Sequence, residues 1–252
     1  MKIAVVTGAS SGLGREFVKQ ISKKYRTLDE IWVLARRENR LRELAKEIKN
    51  VKIRPIAFDI TDKRSLLRYK NLLESFKPSV RLLVNAAGYG MIGKFNELSE
   101  NDNIGMIDLN CTALTRITDM TIPYMSKGGA NIINLASSAA FLPQPSFAVY
   151  AASKSFVLSL SRALNQELKN KKIKVTAVCP GPVDTEFFGI AETYHNVKLY
   201  KKMIFAKPDK VVALALKDAF HKKTVSVYGI GIKGFRILCK FLPHDLIIRF
   251  IK

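Results

Sequence analysis

Short runs of Val, Ile and Leu recur along the chain, and between them lie longer stretches in which apolar residues return every three or four positions. Brief continuous apolar runs fit strands buried on both faces, and the 3.6-residue period fits helices laid over them. The runs predict strands at Ile3 to Thr7, Ile31 to Ala35, Ile53 to Phe58, Leu82 to Asn85, Ile132 to Ser137, Lys174 to Cys179 and Val225 to Tyr228. Helices are predicted at Gly12 to Ser22, Asn39 to Lys49, Lys63 to Phe76, Asp102 to Met125, Ser153 to Lys169 and Asp209 to His221. Strand and helix alternate without a repeat or a low-complexity linker. The expectation is therefore α/β: one doubly wound domain over residues 1–252, with a mostly parallel sheet of about seven strands and helices on both faces.

Two stretches fall outside this rhythm. Asp184 to Lys207 has weak periodicity and sits where a loop would cross the mouth of such a sheet, so it is the candidate substrate lid. Residues 230–252 form a basic, amphipathic C-terminal extension. From His221 onward it carries Lys222, Lys223, Lys233, Arg236, Lys240, Arg249 and Lys252 against the single acid Asp245. It reads three ways: a helix pair closing the substrate pocket, an oligomer contact, or an anchor on an anionic membrane surface.

Composition narrows the class. The chain has 252 residues, 48% of them hydrophobic and 25% charged, which suits a globular protein able to bury a core without disulfide or metal staples. Cys111, Cys179 and Cys239 are odd in number and form no C-x-x-C pair, so a reducing, cytoplasmic compartment is expected. The first apolar run breaks at Thr7-Gly8 and no later run reaches about 18 residues. Neither a classical signal peptide nor a membrane span is expected. The net charge of +21 suggests an anionic neighbour, but the cations are spread over every helical segment as solvated faces would be. Aromatic residues interleaved along a basic groove are not evident, so nucleic acid is not an expected partner. His195, His221 and His244 lack metal-ligand spacing, and no metal is expected. Trp32 and Cys179 read as packing residues.

The first strand runs into Thr7-Gly8-Ala9-Ser10-Ser11-Gly12-Leu13-Gly14 and then into a helix. In this context glycines let the backbone approach a pyrophosphate closely, and the helix N-terminus stabilises its charge. Further along stand Asp59-Ile60, then Asn85-Ala86-Ala87-Gly88, Asn110, Ser137, Tyr150 with Lys154, and Pro180-Gly181-Pro182-Val183 followed by Thr185. Tyr150 and Lys154 are four apart and so share one helix face. Tyr194 and Lys198 repeat that spacing but lack a Ser thirteen residues upstream, where Gly181 stands instead.

The G-x-x-x-G-x-G spacing and the order of these pieces resemble the short-chain dehydrogenase/reductase family over roughly residues 3 to 185. The resemblance implies a Rossmann fold and hydride transfer between a nicotinamide and a carbonyl or secondary alcohol substrate. It implies Tyr150 as general acid/base, Lys154 tuning it and holding the nicotinamide ribose, Ser137 orienting the substrate oxygen, and Asn110 anchoring a proton-relaying water. Physically, a neighbouring ammonium favours the phenolate of a tyrosine whose free pKa is near ~10. Cofactor contacts are expected from Gly8, Ser10, Ser11, Gly12, Leu13, Gly14, Asp59, Ile60, Asn85, Ala86, Ala87, Gly88, Pro180, Gly181, Val183 and Thr185. At the end of the second strand the family's acidic position is Ala35, followed by Arg36 and Arg37, which favours NADP(H) over NAD because guanidinium binds a 2′-phosphate that a carboxylate would repel. Homo-oligomers are usual in proteins of this kind. The ending departs from the strand and Gly-Gly turn of many fatty-acyl reductases in the family. A non-catalytic nucleotide-binding scaffold is the alternative reading.

Overall fold

The computed structural model describes residues 1–191 and 205–249. Seven parallel strands form one sheet: β1 (Lys2–Thr7), β2 (Glu30–Ala35), β3 (Lys52–Ala57), β4 (Ser79–Asn85), β5 (Ala130–Leu135), β6 (Ile173–Val178) and β7 (Val225–Ser226). The order across the sheet is β3-β2-β1-β4-β5-β6-β7, so the direction of winding reverses between β1 and β4. Such a reversal opens a crevice at the C-terminal strand ends. β1 and β2 are buried on both faces over nearly their whole length, which is why they appear in the sequence as unbroken apolar runs.

The first helices are α1 (Gly12–Lys24), α2 (Glu38–Glu47), α3 (Lys63–Phe76), α4 (Glu100–Ile107) and α5 (Leu114–Thr121). They are followed by α6 (Ala148–Glu167), α7 (Phe187–Ala191), α8 (Pro208–Phe220), α9 (Ile230–Phe241) and α10 (His244–Ile248). Phe17, Val18 and Ile21 of α1, Leu41 and Leu44 of α2, and Val211, Val212 and Ala215 of α8 fill the core on one face. Leu66, Tyr69 and Leu73 of α3 and Ile117 of α5 fill the other. This is the doubly wound Rossmann architecture. Trp32 is a packing residue: it is fully buried, meets Phe76 edge-on and donates to Glu30 through its ring N–H.

Three elements differ from the predicted ones. The single helix expected over Asp102 to Met125 is broken: α4 runs into a π-helical turn, Asp108–Ala113, and α5 is followed by a 3-10 turn, Ile122–Tyr124. α6 begins at Ala148, five residues before the predicted Ser153, and so takes Tyr150 into its first turn. The expected lid contains the short helix α7, and residues 192–204, with Tyr194, His195 and Lys198, lie outside the described residues. Among the described residues no helix is long and apolar enough to cross a membrane.

Candidate active site

The glycine turn is built by close contact. Gly8 has φ +66, and a Cβ there would lie 2.7 Å from the backbone nitrogen of Ala87. A Cβ on Gly14 would overlap the carbonyl oxygen of Gly8. No other residue fits either place, because the turn, the start of α1 and the end of β4 touch through backbone. Thr7 Oγ1 completes the joint by accepting from the N–H groups of Ala86 and Ala87 at 3.1 and 3.2 Å. Thr185 lies over Gly12, so the segment after Pro180 closes the far side of the same turn. Val183 is buried and bridges to Ala206, and Leu13 packs on the core.

Arg37 leans over this turn. Its guanidinium donates to Ser11 Oγ at 2.6 Å and to Ser10 Oγ at 3.1 Å, and pairs with Glu186 at 2.9 Å. Arg40 pairs with Glu186 as well, and the two cations hold that carboxyl below its usual range. Arg36 stands at the end of β2 with one nitrogen 4.0 Å from Asp59. Asp59 accepts from the Thr61 N–H and hydroxyl at 2.9 and 2.7 Å. The side chain of Ile60 is turned into the core.

On the other side of the crevice, Ser137 follows β5 and caps a 3-10 turn, Ser138–Phe141, accepting from the Ala139 N–H at 3.1 Å. The turn is fastened to the next strand end by Ser138 N–H donating to the Pro180 carbonyl at 2.8 Å. Tyr150 is 7% exposed. Phe147 stacks on its ring at 4.2 Å between centroids, and Phe187 approaches at 5.4 Å. A Cβ on Gly90 would lie 2.5 Å from that ring, so the chain after β4 is pressed against it. Lys154 is 4% exposed, lies 5.6 Å from the Tyr150 ring centroid and donates to the Leu135 carbonyl at 2.8 Å. β5 and α6 meet a second time where Asn134 donates to Ser161 at 2.9 Å.

Burial dominates the ionisation of both side chains. It pushes the Tyr150 phenol up to about 12, opposed by the neighbouring Ser137 hydroxyl, and it pulls the Lys154 ammonium down to about 8. Sequence spacing leads one to expect a lowered phenol. In the structure, burial of the phenol works against that lowering.

Two Asn side chains brace the crevice from beneath. Asn85 is buried beneath the strand end and donates to Thr118 at 2.9 Å and Asn134 at 2.8 Å, tying β4, α5 and β5 together. Its amide nitrogen is engaged inside the sheet. Asn110 sits in the π-helical turn, and both ends of its amide are engaged. Its Oδ1 accepts from the Tyr89 N–H at 3.1 Å, and its Nδ2 donates to the Tyr89 carbonyl at 2.9 Å and to Ser153 Oγ at 3.0 Å. A Cβ on Gly88 would lie 2.8 Å from Asn110 Oδ1 and 3.2 Å from Lys154 Nζ, which brings Gly88, Asn110 and Lys154 to one point.

The matching descriptions of known proteins fit this geometry. The family model described as short chain dehydrogenase matches residues 2–193. The chain belongs to the short-chain dehydrogenase/reductase family. It is 31% identical over 220 residues to a probable NADP-dependent dehydrogenase of Haemophilus influenzae, covering 84% of this chain and 85% of that one. A short-chain dehydrogenase from Sphingobium yanoikuyae, solved in complex with NADPH, superposes with a TM-score of 0.81 at 28% identity, covering 96% of this chain and 97% of that chain. A family member from Burkholderia phymatum in complex with NAD shares the fold at TM-score 0.81 and 22% identity, over 94% and 92% of the two chains. The protein is thus an oxidoreductase of this family, of the nicotinamide dinucleotide class. The backbone-lined cradle at Gly8 and Gly14, which a single Cβ would fill, suits a pyrophosphate at the N-terminus of α1.

Sequence reading missed several residues that build the site. Ser153, Tyr89 and Gly90 hold Asn110 and Tyr150 in place, Phe147 and Phe187 flank the phenol, and Glu186 pairs with the cations opposite the glycine turn. Gly90 and Ser153 sit within five residues of recognised motifs, a signal that was available. Glu186 carries none, since its partner Arg37 is 149 residues away.

Proposed function

We propose that the protein is an NADP(H)-dependent carbonyl reductase that interconverts a carbonyl compound and its secondary alcohol. The observation that carries this reading is the pairing of two buried side chains on one face of α6, Tyr150 and Lys154, with the Lys154 ammonium 5.6 Å from the centre of the phenol ring. Ser137 accepts from Ala139, and its hydroxyl proton would hold a substrate carbonyl oxygen. Tyr150, kept neutral by burial, donates its Oη proton to that oxygen as negative charge develops on it. Lys154, charged below about pH 8, stabilises the phenolate that remains. A bound reduced nicotinamide supplies the hydride for the new C–H bond. In the alcohol-oxidising direction Tyr150 accepts the proton instead. Asn110 acts as a positioning residue, pinning the backbone at Tyr89 and, through Ser153, the first turn of α6.

Preference for NADP(H) rests on Arg37 over the Ser10 and Ser11 hydroxyls, on Arg36 beside it, and on Ala35 where a carboxylate would otherwise accept from a ribose 2′-hydroxyl. The NADPH complex from Sphingobium and the name of the Haemophilus relative support the same choice. Three buried free cysteines suit a reducing compartment. Exposed Ile104 and Ile107 on α4 and Phe156 on α6 support a homo-oligomer.

The deciding experiment is Tyr150→Phe. The variant is expected to bind NADPH as the parent does and to lose turnover about 100-fold or more on a panel of ketosteroids, 3-oxoacyl thioesters, long-chain ketones and small diketones. Unchanged turnover would refute the assignment, and the scaffold alternative predicts no turnover by either protein.

A further inference from the structure

Helix α9 is apolar on two opposite faces. Ile232, Phe235 and Cys239, spaced three and four apart, turn inward, and a Cβ on Gly181 would lie 2.8 Å from Ile232 Cδ1. Cys239 is buried in a cluster with Phe141, Leu142, Val157 and Cys179. The inward face therefore explains how the helix is held against the crevice.

The outward face has no such partner among the described residues. Ile230, Gly234, Ile237 and Phe241 follow one another at spacings of four, three and four, which places them on one line along the helix. Ile230 is 89% exposed, Ile237 59% and Phe241 76%. Leu238, Leu242 and Leu246 extend the apolar surface towards α10. Lys233 and Lys240 flank the line and are exposed, Arg236 turns its guanidinium over Phe141, and across residues 230–249 the only acid is Asp245.

Charge and size choose the occupant. A second copy seated on this stripe would bring its own Lys233 and Lys240 against these. A helix of 12 residues spans only about 18 Å, little towards the ~800 Å² that each partner buries in a stable protein interface. Nucleic acid would satisfy the cations and leave the Ile and Phe residues unused. A bilayer carrying anionic headgroups satisfies both, taking the apolar line into the acyl boundary and the cations at the phosphates.

We infer that the outward face of α9 seats the protein on an anionic lipid membrane, with the crevice wall at Ile232 held close to the bilayer. If the carbonyl-reductase reading holds, on which this second part rests, the substrates are long-chain apolar carbonyl compounds that partition into lipid. The apolar surroundings of Tyr150, formed by Met91, Phe147 and Phe187, suit such molecules.

The test is flotation of the full chain with phosphatidylglycerol-rich vesicles and with pure phosphatidylcholine vesicles, at low and high salt. The parent is expected to float with the anionic vesicles at least tenfold more strongly, and less so as salt rises. The double variant Ile237→Glu, Phe241→Glu should lose at least tenfold of that binding, and Lys233→Gln with Lys240→Gln about fivefold per cation. Unaltered thermal melts would show that each variant folds. Absence of binding by the parent, equal binding by the Glu variant, or indifference to lipid charge would overturn the proposal. So would conversion of a parent dimer to monomer by the Glu variant without vesicle binding, which would assign the face to a second copy.

Binding is read without turnover, so Tyr150→Phe should float like the parent, and failure of the membrane proposal is separable from failure of the catalytic one. With a long-chain ketone embedded in anionic vesicles, the Glu variant should lose about tenfold in rate yet keep its rate on a short water-soluble ketone. Equal rates on the embedded ketone would overturn the substrate class.

Discussion

Arg37 bridges the two banks of the crevice: one nitrogen lies 2.6 Å from Ser11 Oγ on the glycine turn, another 2.9 Å from Glu186 beyond Pro180. A 2′-phosphate at this place would compete with Glu186 for the same guanidinium. Glu186→Gln should therefore tighten NADPH binding by up to about fivefold, the strength of an exposed ion pair, and leave NADH unchanged. Titration of cofactor fluorescence reads this directly.

Replacing both Arg36 and Arg37 by Ala should weaken NADPH at least about tenfold, as loss of charge-assisted hydrogen bonds to a phosphate requires. NADH should change by no more than about twofold. Equal losses for the two nucleotides would reverse the cofactor assignment.

The pH dependence follows from Lys154. Its folded pKa is about 8, below the ordinary 10.5, because burial penalises the ammonium. The reductive kcat/KM should fall as pH rises through about 8, when the cation that stabilises the Tyr150 phenolate is lost. Stability moves the opposite way. Between about pH 8 and 10.5 the unfolded chain holds more protons on this lysine than the folded one, so this group's contribution to stability rises with pH across that window. In Lys154→Met the fall in rate centred near pH 8 should vanish together with most of the activity, and denaturant titrations at pH 7 and 9.5 would check the stability arm.

Gly90→Ala places a methyl group 2.5 Å from the Tyr150 ring. The ring must shift, and kcat should drop about tenfold or more while the dissociation constant for NADPH stays within about twofold. Gly14→Ala meets backbone at Gly8 instead. It should cost about 1–3 kcal/mol of stability and abolish nucleotide binding, as thermal melts and titration would show.

Most of the sheet was legible because its strands are buried on both sides, and the crevice was legible because glycines are obligatory where backbone meets backbone. The π-helical turn at Asp108–Ala113 was not. It adds a residue to a helical turn without Gly or Pro to mark it, and apolar residues from Ile104 to Ile117 continue on either side. The start of α6 was missed because Phe147 precedes it and supplies no capping side chain. Burial of Tyr150 was not legible for a related reason: spacing reveals the charge at Lys154, whereas that burial depends on Gly90 and Phe187 arriving from distant segments beside Phe147.

β5 ends in Asn134 and Leu135 with Ser137 just beyond, and α6 is bonded to the first two through Ser161 and Lys154. Phe187 and Ile232, which wall the opening, stand on neither element. Under the proposed carbonyl-reductase chemistry, changing which molecules the crevice admits therefore has a natural starting library at positions 187 and 232, where side-chain size can be varied while Tyr150 and Lys154 keep their framework.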